Sequence, residues 1–118
     1  MSIHKIGFIG LGLIGGSIAK TTKRIHPDIH MIALSGRQST IDTAFSIGLI
    51  DNAANAKITD FADCDYIFLC TPVKQNHTYL EQLKQIMSPE CILTDVGSVK
   101  GDIHREICAL GMDHCFIG

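Results

Sequence analysis

No run or stripe of lysine and arginine interrupts this 118-residue sequence. Ten basic and twelve acidic residues are mixed along it, for a net charge of -2, which excludes the electrostatic footprint of a nucleic-acid binder. No apolar stretch approaches the roughly 20 residues that span a bilayer. Met1 leads into a strand pattern with one early lysine and no cleavage-type segment, so no secretory leader is read and no membrane partner is expected. Paired cysteines are missing too: Cys64, Cys70, Cys91, Cys108 and Cys115 are odd in number, contain no C-x-x-C and mostly sit inside apolar runs. That usage reads as reduced thiols serving as small core residues in a cytoplasm. Internal repeats, linkers and low-complexity segments are absent as well.

What is present is the material for one core. Hydrophobic residues make up 46% and charged residues 19%, a balance that folds rather than one that stays disordered. The length is that of a single domain, 1–118, enough to bury a core without disulfide or metal staples. Residues 5–10 form a continuous apolar run that fits a strand buried on both faces. From Ile14 the apolar residues recur at helical spacing through Ile18 and Ile25, until "HPD" at 26–28 stops the helix, because proline disfavours helical geometry in the residue before it. "IHMIAL" (29–34) predicts a second strand, 40–47 a second helix closed by Gly48, and 50–53 a short third strand. "DYIFLC" (65–70), "CILTDV" (91–96) and "HCFIG" (114–118) complete the strands, with helices expected over 75–87 and 99–110. Such alternation predicts an α/β fold, a doubly wound parallel sheet of about six strands with helices on both faces. With no terminal helix to cover the last apolar strand, the chain reads as truncated.

The glycines fall where that fold needs them. Gly10, Gly12 and Gly15 spell G-x-G-x-x-G after the first strand and at the opening of the first helix. In that context the first glycine turns the chain tightly, the second removes a side chain from the path of a pyrophosphate, and the third lets helix and sheet approach. Phosphates then meet the free N–H groups and positive dipole end of the helix. Gly7 lies outside the motif and fits close helix–strand packing. The pattern is that of a Rossmann-type dinucleotide site.

An NAD site usually carries a carboxylate at the end of the second strand, some 20 residues past the glycines, for the adenine ribose hydroxyls. Here that position falls in "ALSGRQST": Asp28 lies at the wrong end of the strand and Asp42 inside the next helix. Ser35, Gly36, Arg37, Ser39 and Thr40 instead offer a cation and hydroxyls to a 2′-phosphate. NADP is therefore the preferred cofactor, with NAD the alternative if Arg37 is only a loop cation.

With "GLGLIGGS", "CTPV" (70–73) and "TDVGSVK" (94–100) in place, the chain resembles the prephenate/arogenate dehydrogenases of tyrosine biosynthesis, over residues 6–118. "TDVGSVK" is the most specific piece, since generic dinucleotide domains lack it. "SGRQST" looks like the NADP-preferring members, although Gly36 stands where the family often has arginine directly after the serine. The resemblance implies an oxidative decarboxylation, with hydride passing from the hydroxyl-bearing ring carbon of prephenate or arogenate to nicotinamide and carbon dioxide departing as the ring aromatises. It assigns Gly10, Leu13, Ile14 and residues 35–37 to the cofactor, and Cys70, Thr71, Pro72 and Val73 to the ribose and nicotinamide. Asp95 and Gly97 go to the nicotinamide end, and Ser98 near the reacting hydroxyl as the catalytic residue. It further implies a histidine just past "FIG" and a helical domain that supplies a substrate-binding arginine and dimerises the protein. The 118 residues alone are accordingly expected to bind cofactor without turnover.

Two competing functions stay open at this point: another hydroxyacid or imine reductase of the same fold, and a non-catalytic NADP-sensing domain. No metal is expected, because His104 and Cys108 lack the paired spacing that metal sites use. His4, His26 and His30 read as solvated, and His77 as a surface helix position. Ser98 doubles as an N-cap candidate for the helix near Val99, and Lys100 is equally a surface lysine or a partner for phosphate or carboxylate.

Overall fold

A computed structural model describes residues 3–11, 13–70, 73–95 and 116–117. Five parallel strands form one sheet in the order β2-β1-β3-β4-β5, where β1 is Lys5–Ile9, β2 His30–Leu34, β3 Tyr66–Leu69, β4 Ile92–Asp95 and β5 Phe116–Ile117. The helices are α1 (Leu13–Ile25), α2 (Gln38–Ser46) and α3 (Val73–Ile86), with a 3-10 turn at Ile58–Phe61. The alternation and the parallel sheet are as expected. The expected helix over 99–110 lies outside the described residues.

Strand direction explains which faces α1 and α3 take. The chain moves from β1 outward to β2 on one side, and from β3 outward to β4 on the other. A right-handed crossover in opposite directions puts the two connecting helices on opposite faces. Two cores result. Ile6, Phe8, Met31 and Ala33 pack with Ala19 of α1 and with Ile41 and Ala44 of α2. On the other face Ile9, Ile32, Ile67, Leu69 and Leu93 pack with Leu83 of α3 and with Phe61 of the 3-10 turn. Alternate residues of β1 thus feed different cores, which is why the strand reads as a continuous apolar run.

Gly7 faces the second core. A Cβ there would lie 2.5 Å from Phe61 Cε2 and 3.0 Å from Cys64 Sγ, so the glycine makes room for the Phe61 ring rather than for a helix. At the end of α2, Gly48 takes φ +76, and bonds from Gly48 N–H to Phe45 O and from Leu49 N–H to Ala44 O close a Schellman cap.

The expected third strand at 50–53 is not formed, which lowers the expected six strands to five among the described residues. Residues 51–56 do run along the outer edge of β2, but they bond to it largely through side chains. The Met31 N–H donates to Asp51 Oδ2 (2.7 Å) and the Ala33 N–H to Asn52 Oδ1 (3.0 Å), while Asn52 Nδ2 donates back to Ala33 O (2.9 Å). Backbone bonds from Asp51 N–H to Met31 O and from Ala56 N–H to Ala33 O supplement them. The carboxylate and amide groups satisfy the edge that a further strand would otherwise pair. At the opposite end of the sheet, Asp65 Oδ2 accepts from the N–H groups of His4 and Lys5, and Lys5 Nζ meets Asp63 Oδ1 at 2.6 Å. That ammonium lowers the Asp63 carboxyl below its usual range.

Cys64 and Cys91 are buried core residues, as expected of small apolar side chains. Burial pushes the Cys64 thiol up from 9.0 to about 12. A raised pKa stabilises the fold fully below pH 9 and loses that contribution as pH rises through 12. The midpoint temperature of thermal denaturation should therefore fall more steeply above pH 9 in the native chain than in Cys64→Ala. Gly7→Ala should cost about 1–3 kcal/mol through overpacking against Phe61, read as a lower urea midpoint, and Gly7→Ala with Phe61→Leu should cost less than the two changes summed.

Candidate functional site

Strand order reverses between β1 and β3, which makes the crevice beyond their C-terminal ends the switch point of the sheet, the place where open α/β sheets bind ligands. Every described candidate from the sequence lies along that edge. Gly10 follows β1 with φ +79, a conformation side chains disfavour, and its N–H donates to Leu34 O at 2.6 Å. Cys70 follows β3 and its N–H donates to Ile9 O at 2.8 Å. The glycine turn is therefore tied on both sides to the strands that flank it.

Leu13, Ile14 and Gly15 form the opening of α1. A Cβ on Gly15 would lie 2.9 Å from Cys70 Sγ and 3.5 Å from Gly10 O. Lys23 and Arg24 complement the negative dipole end in the last turn of α1, while no acidic residue occupies its first turn, which leaves the positive N-terminus favourable to an anion. Val73 opens α3, two residues earlier than expected, and Asp95 ends β4 opposite Leu69. Gly12, Thr71, Pro72, Gly97 and Ser98 lie outside the described residues.

The loop from β2 to α2 carries the remaining candidates. Ser35 is half-buried, and Gly36, Arg37 and Ser39 are exposed. Helix α2 starts at Gln38 rather than at Thr40, so Ser39 and Thr40 sit in its first turn, which again holds no acidic residue. Asp42 is engaged by Gln38 Nε2 at 2.9 Å. An open groove of about 530 Å³ separates Leu11 and Gly16 from Ser39, Thr40, Thr43 and Ala44. It brings the α2 hydroxyls to the same cleft as the glycine turn; Ser35 and Arg37 lie beside it, not in its lining.

Sequence reasoning missed what holds this loop. Asn55 Oδ1 accepts from the Ser35 N–H (3.0 Å), and Asn55 Nδ2 donates to Ser35 O (2.5 Å). Ser35 Oγ accepts from the Arg37 N–H (3.2 Å), and the Asn55 N–H donates to Gln38 Oε1 (3.2 Å). Nothing local in "DNAANA" marks these amides, whose partners stand some 20 residues away. His4, His26 and His30 are exposed and remote from this edge, as expected. No cluster of three metal-ligating side chains occurs among the described residues.

The family model described as "Prephenate dehydrogenase, nucleotide-binding domain" matches residues 18–118. The chain belongs to this family. A prephenate dehydrogenase of Bacillus subtilis is 37% identical over 92 residues, covering 77% of this chain and 25% of that protein. A cyclohexadienyl dehydrogenase of Zymomonas mobilis is 32% identical over 108 residues, covering 91% and 37%. The prephenate dehydrogenase of A. aeolicus, solved with hydroxyphenyl propionate and NAD+, superposes with a TM-score of 0.86 at 26% identity, covering 98% of this chain and 41% of that one. The chain thus spans about a quarter to two fifths of the length of these relatives. Its fold is that of a prephenate dehydrogenase nucleotide-binding domain. The left-handed turn at Gly10 and the close approach of α1 to Cys70 at Gly15 are compatible with a glycine cradle for a pyrophosphate.

Gly15→Ala should weaken dinucleotide binding and lower stability, since the added methyl must displace Cys70 or push α1 away from the sheet. Removing the sulfur with Cys70→Ala should recover most of that loss. Calorimetric titration and thermal melts of the two single variants and the double variant measure the coupling.

Proposed function

We propose that the chain is the cofactor half of a dehydrogenase that oxidatively decarboxylates prephenate or arogenate, with NADP the preferred hydride acceptor and NAD the alternative. The convergence of the Gly10 turn, the α1 N-terminus and the β2–α2 loop on one switch-point crevice carries this reading, together with membership of the family. When bound, the nicotinamide supplies the acceptor for the hydride. The protein's part is to bind and orient. The N–H groups at the opening of α1 meet the pyrophosphate, and the 70–73 segment beyond β3 flanks the nicotinamide ribose. The family resemblance assigns Asp95, Gly97 and Ser98 to the reacting end, with Ser98 as the catalytic residue near the substrate hydroxyl. In the whole protein, which works in the cytoplasm, the hydroxyl-polarising histidine comes just past "FIG", and a helical domain supplies the substrate-binding arginine and the dimer interface.

The preference for NADP rests on the loop after β2. Within residues 35–40 there is no carboxylate to repel a 2′-phosphate. Arg37 is exposed, and the Ser35 hydroxyl keeps its proton to donate while its oxygen accepts from Arg37 N–H. Titration calorimetry on the 118-residue chain should show NADP+ bound roughly ten- to a hundredfold more tightly than NAD+, the range for hydrogen bonds to a charged group. Salt should weaken the difference, and Arg37→Ala should abolish it. Equal affinities in the native chain would contradict the preference.

A further inference from the structure

We propose that Asn55 is a positioning residue for nucleotide recognition, holding the β2–α2 loop in the shape that meets the adenosine end of the cofactor; this rests on the reading of that loop as the adenosine-phosphate site. Among the described residues, no strand pairs the outer edge of β2. Met31, Ala33 and Ser35 all turn their backbone groups outward there, and each is met by a side chain: Asp51, Asn52 and Asn55 in turn. The first two contacts lie along the strand, within the sheet. The third lies past its end, on the first residue of the loop.

Asn55 is half-buried and uses both ends of its amide on the one residue, accepting from Ser35 N–H and donating to Ser35 O. Such a pair fixes the two peptide groups that flank the Ser35 Cα, as a neighbouring strand would. Fixing Ser35 fixes Arg37, because Ser35 Oγ accepts from the Arg37 N–H. The same residue also reaches the far end of the loop. Its backbone N–H donates to Gln38 Oε1, and Gln38 Nε2 donates to Ala53 O and Asp42 Oδ1. Both ends of the 35–38 loop are therefore anchored to one residue. Gly36 and Arg37 between them are exposed, and Gly36 has no heavy atom near its would-be Cβ. Without Asn55, a glycine-containing exposed loop would have to be ordered by the ligand, at a cost in affinity.

Asn52 supplies the matched control. It makes the same two-bond pairing with Ala33, two residues earlier in β2, and reaches Ala54 O instead of the loop. Asn52→Ala and Asn55→Ala should therefore lose similar stability in thermal melts. Binding should separate them. Calorimetric titration of the 118-residue chain with NADP+, NAD+, 2′,5′-ADP and 5′-AMP should find Asn55→Ala about tenfold weaker for the wild type's preferred dinucleotide and for the matching adenosine fragment, the size expected from losing two hydrogen bonds. Asn52→Ala should stay within about twofold on the same scale. Equal losses in the two variants, or unchanged affinity in Asn55→Ala, would overturn the proposal. If Arg37→Ala leaves both affinity and cofactor ratio unchanged while Asn55→Ala still weakens binding, positioning by Asn55 stands and the Arg37 phosphate contact fails. If the native chain binds none of the four, the reading of the loop and the proposal fall together.

Discussion

Parallel pairing of β1 with strands on both sides is the constraint on which the rest of the structure depends. Its register runs Lys5 to Ile9 against β2 and Ile6 to Ile9 against β3, so the strand's backbone is committed and both of its faces are buried. Parallel neighbours cannot be joined by a tight turn, and each connection must cross a face of the sheet as a helix. Two crossovers leaving β1 and β3 in opposite directions then open a crevice at the C-terminal ends. Chemistry in this fold is confined to that edge because elsewhere the backbone groups of the inner strands are already used.

The glycine turn is where that constraint meets the proposed nucleotide site. Gly10 is bonded to β2 through Leu34, and Cys70 to β1 through Ile9, so the turn cannot drift from the sheet. Gly15 then brings α1 against Cys70 at a distance that no Cβ tolerates. Small size at Gly10 and Gly15 thus gives a helix N-terminus held close over the switch point, an arrangement that favours negative charge without needing a cationic side chain. The loop after β2, to which we assign cofactor selectivity, takes its shape from polar side chains on the neighbouring segment.

Legibility in the sequence followed the range of the interactions. The β1 apolar run, the helix ending before Pro27 and the G-x-G-x-x-G turn are local patterns, and each was readable within a few residues. Gly7 was not, because its reason is the Phe61 ring from a distant 3-10 turn. The supposed strand at 50–53 failed for a related cause. Ile50 is a buried apolar residue, as a strand would require, but Asp51, Asn52 and Asn55 follow it and pair the β2 edge with side chains instead of backbone. The candidate site divided the same way: the residues on the turn and loop were legible, and the amide that orders the loop was not.

The central claim is that the nucleotide lies across the C-terminal edge of the sheet at the β1/β3 switch point. Backbone amide chemical shifts of the labelled 118-residue chain, followed by NMR as dinucleotide is added, test it most directly. The account predicts shifts concentrated at Gly10, Leu11, Gly15, Ser35, Arg37, Cys70 and Asp95, with His4, Lys5, Asp63 and Asp65 at the opposite edge unmoved. Saturable shifts centred on that opposite edge, or on the outer surface of α3, would contradict it.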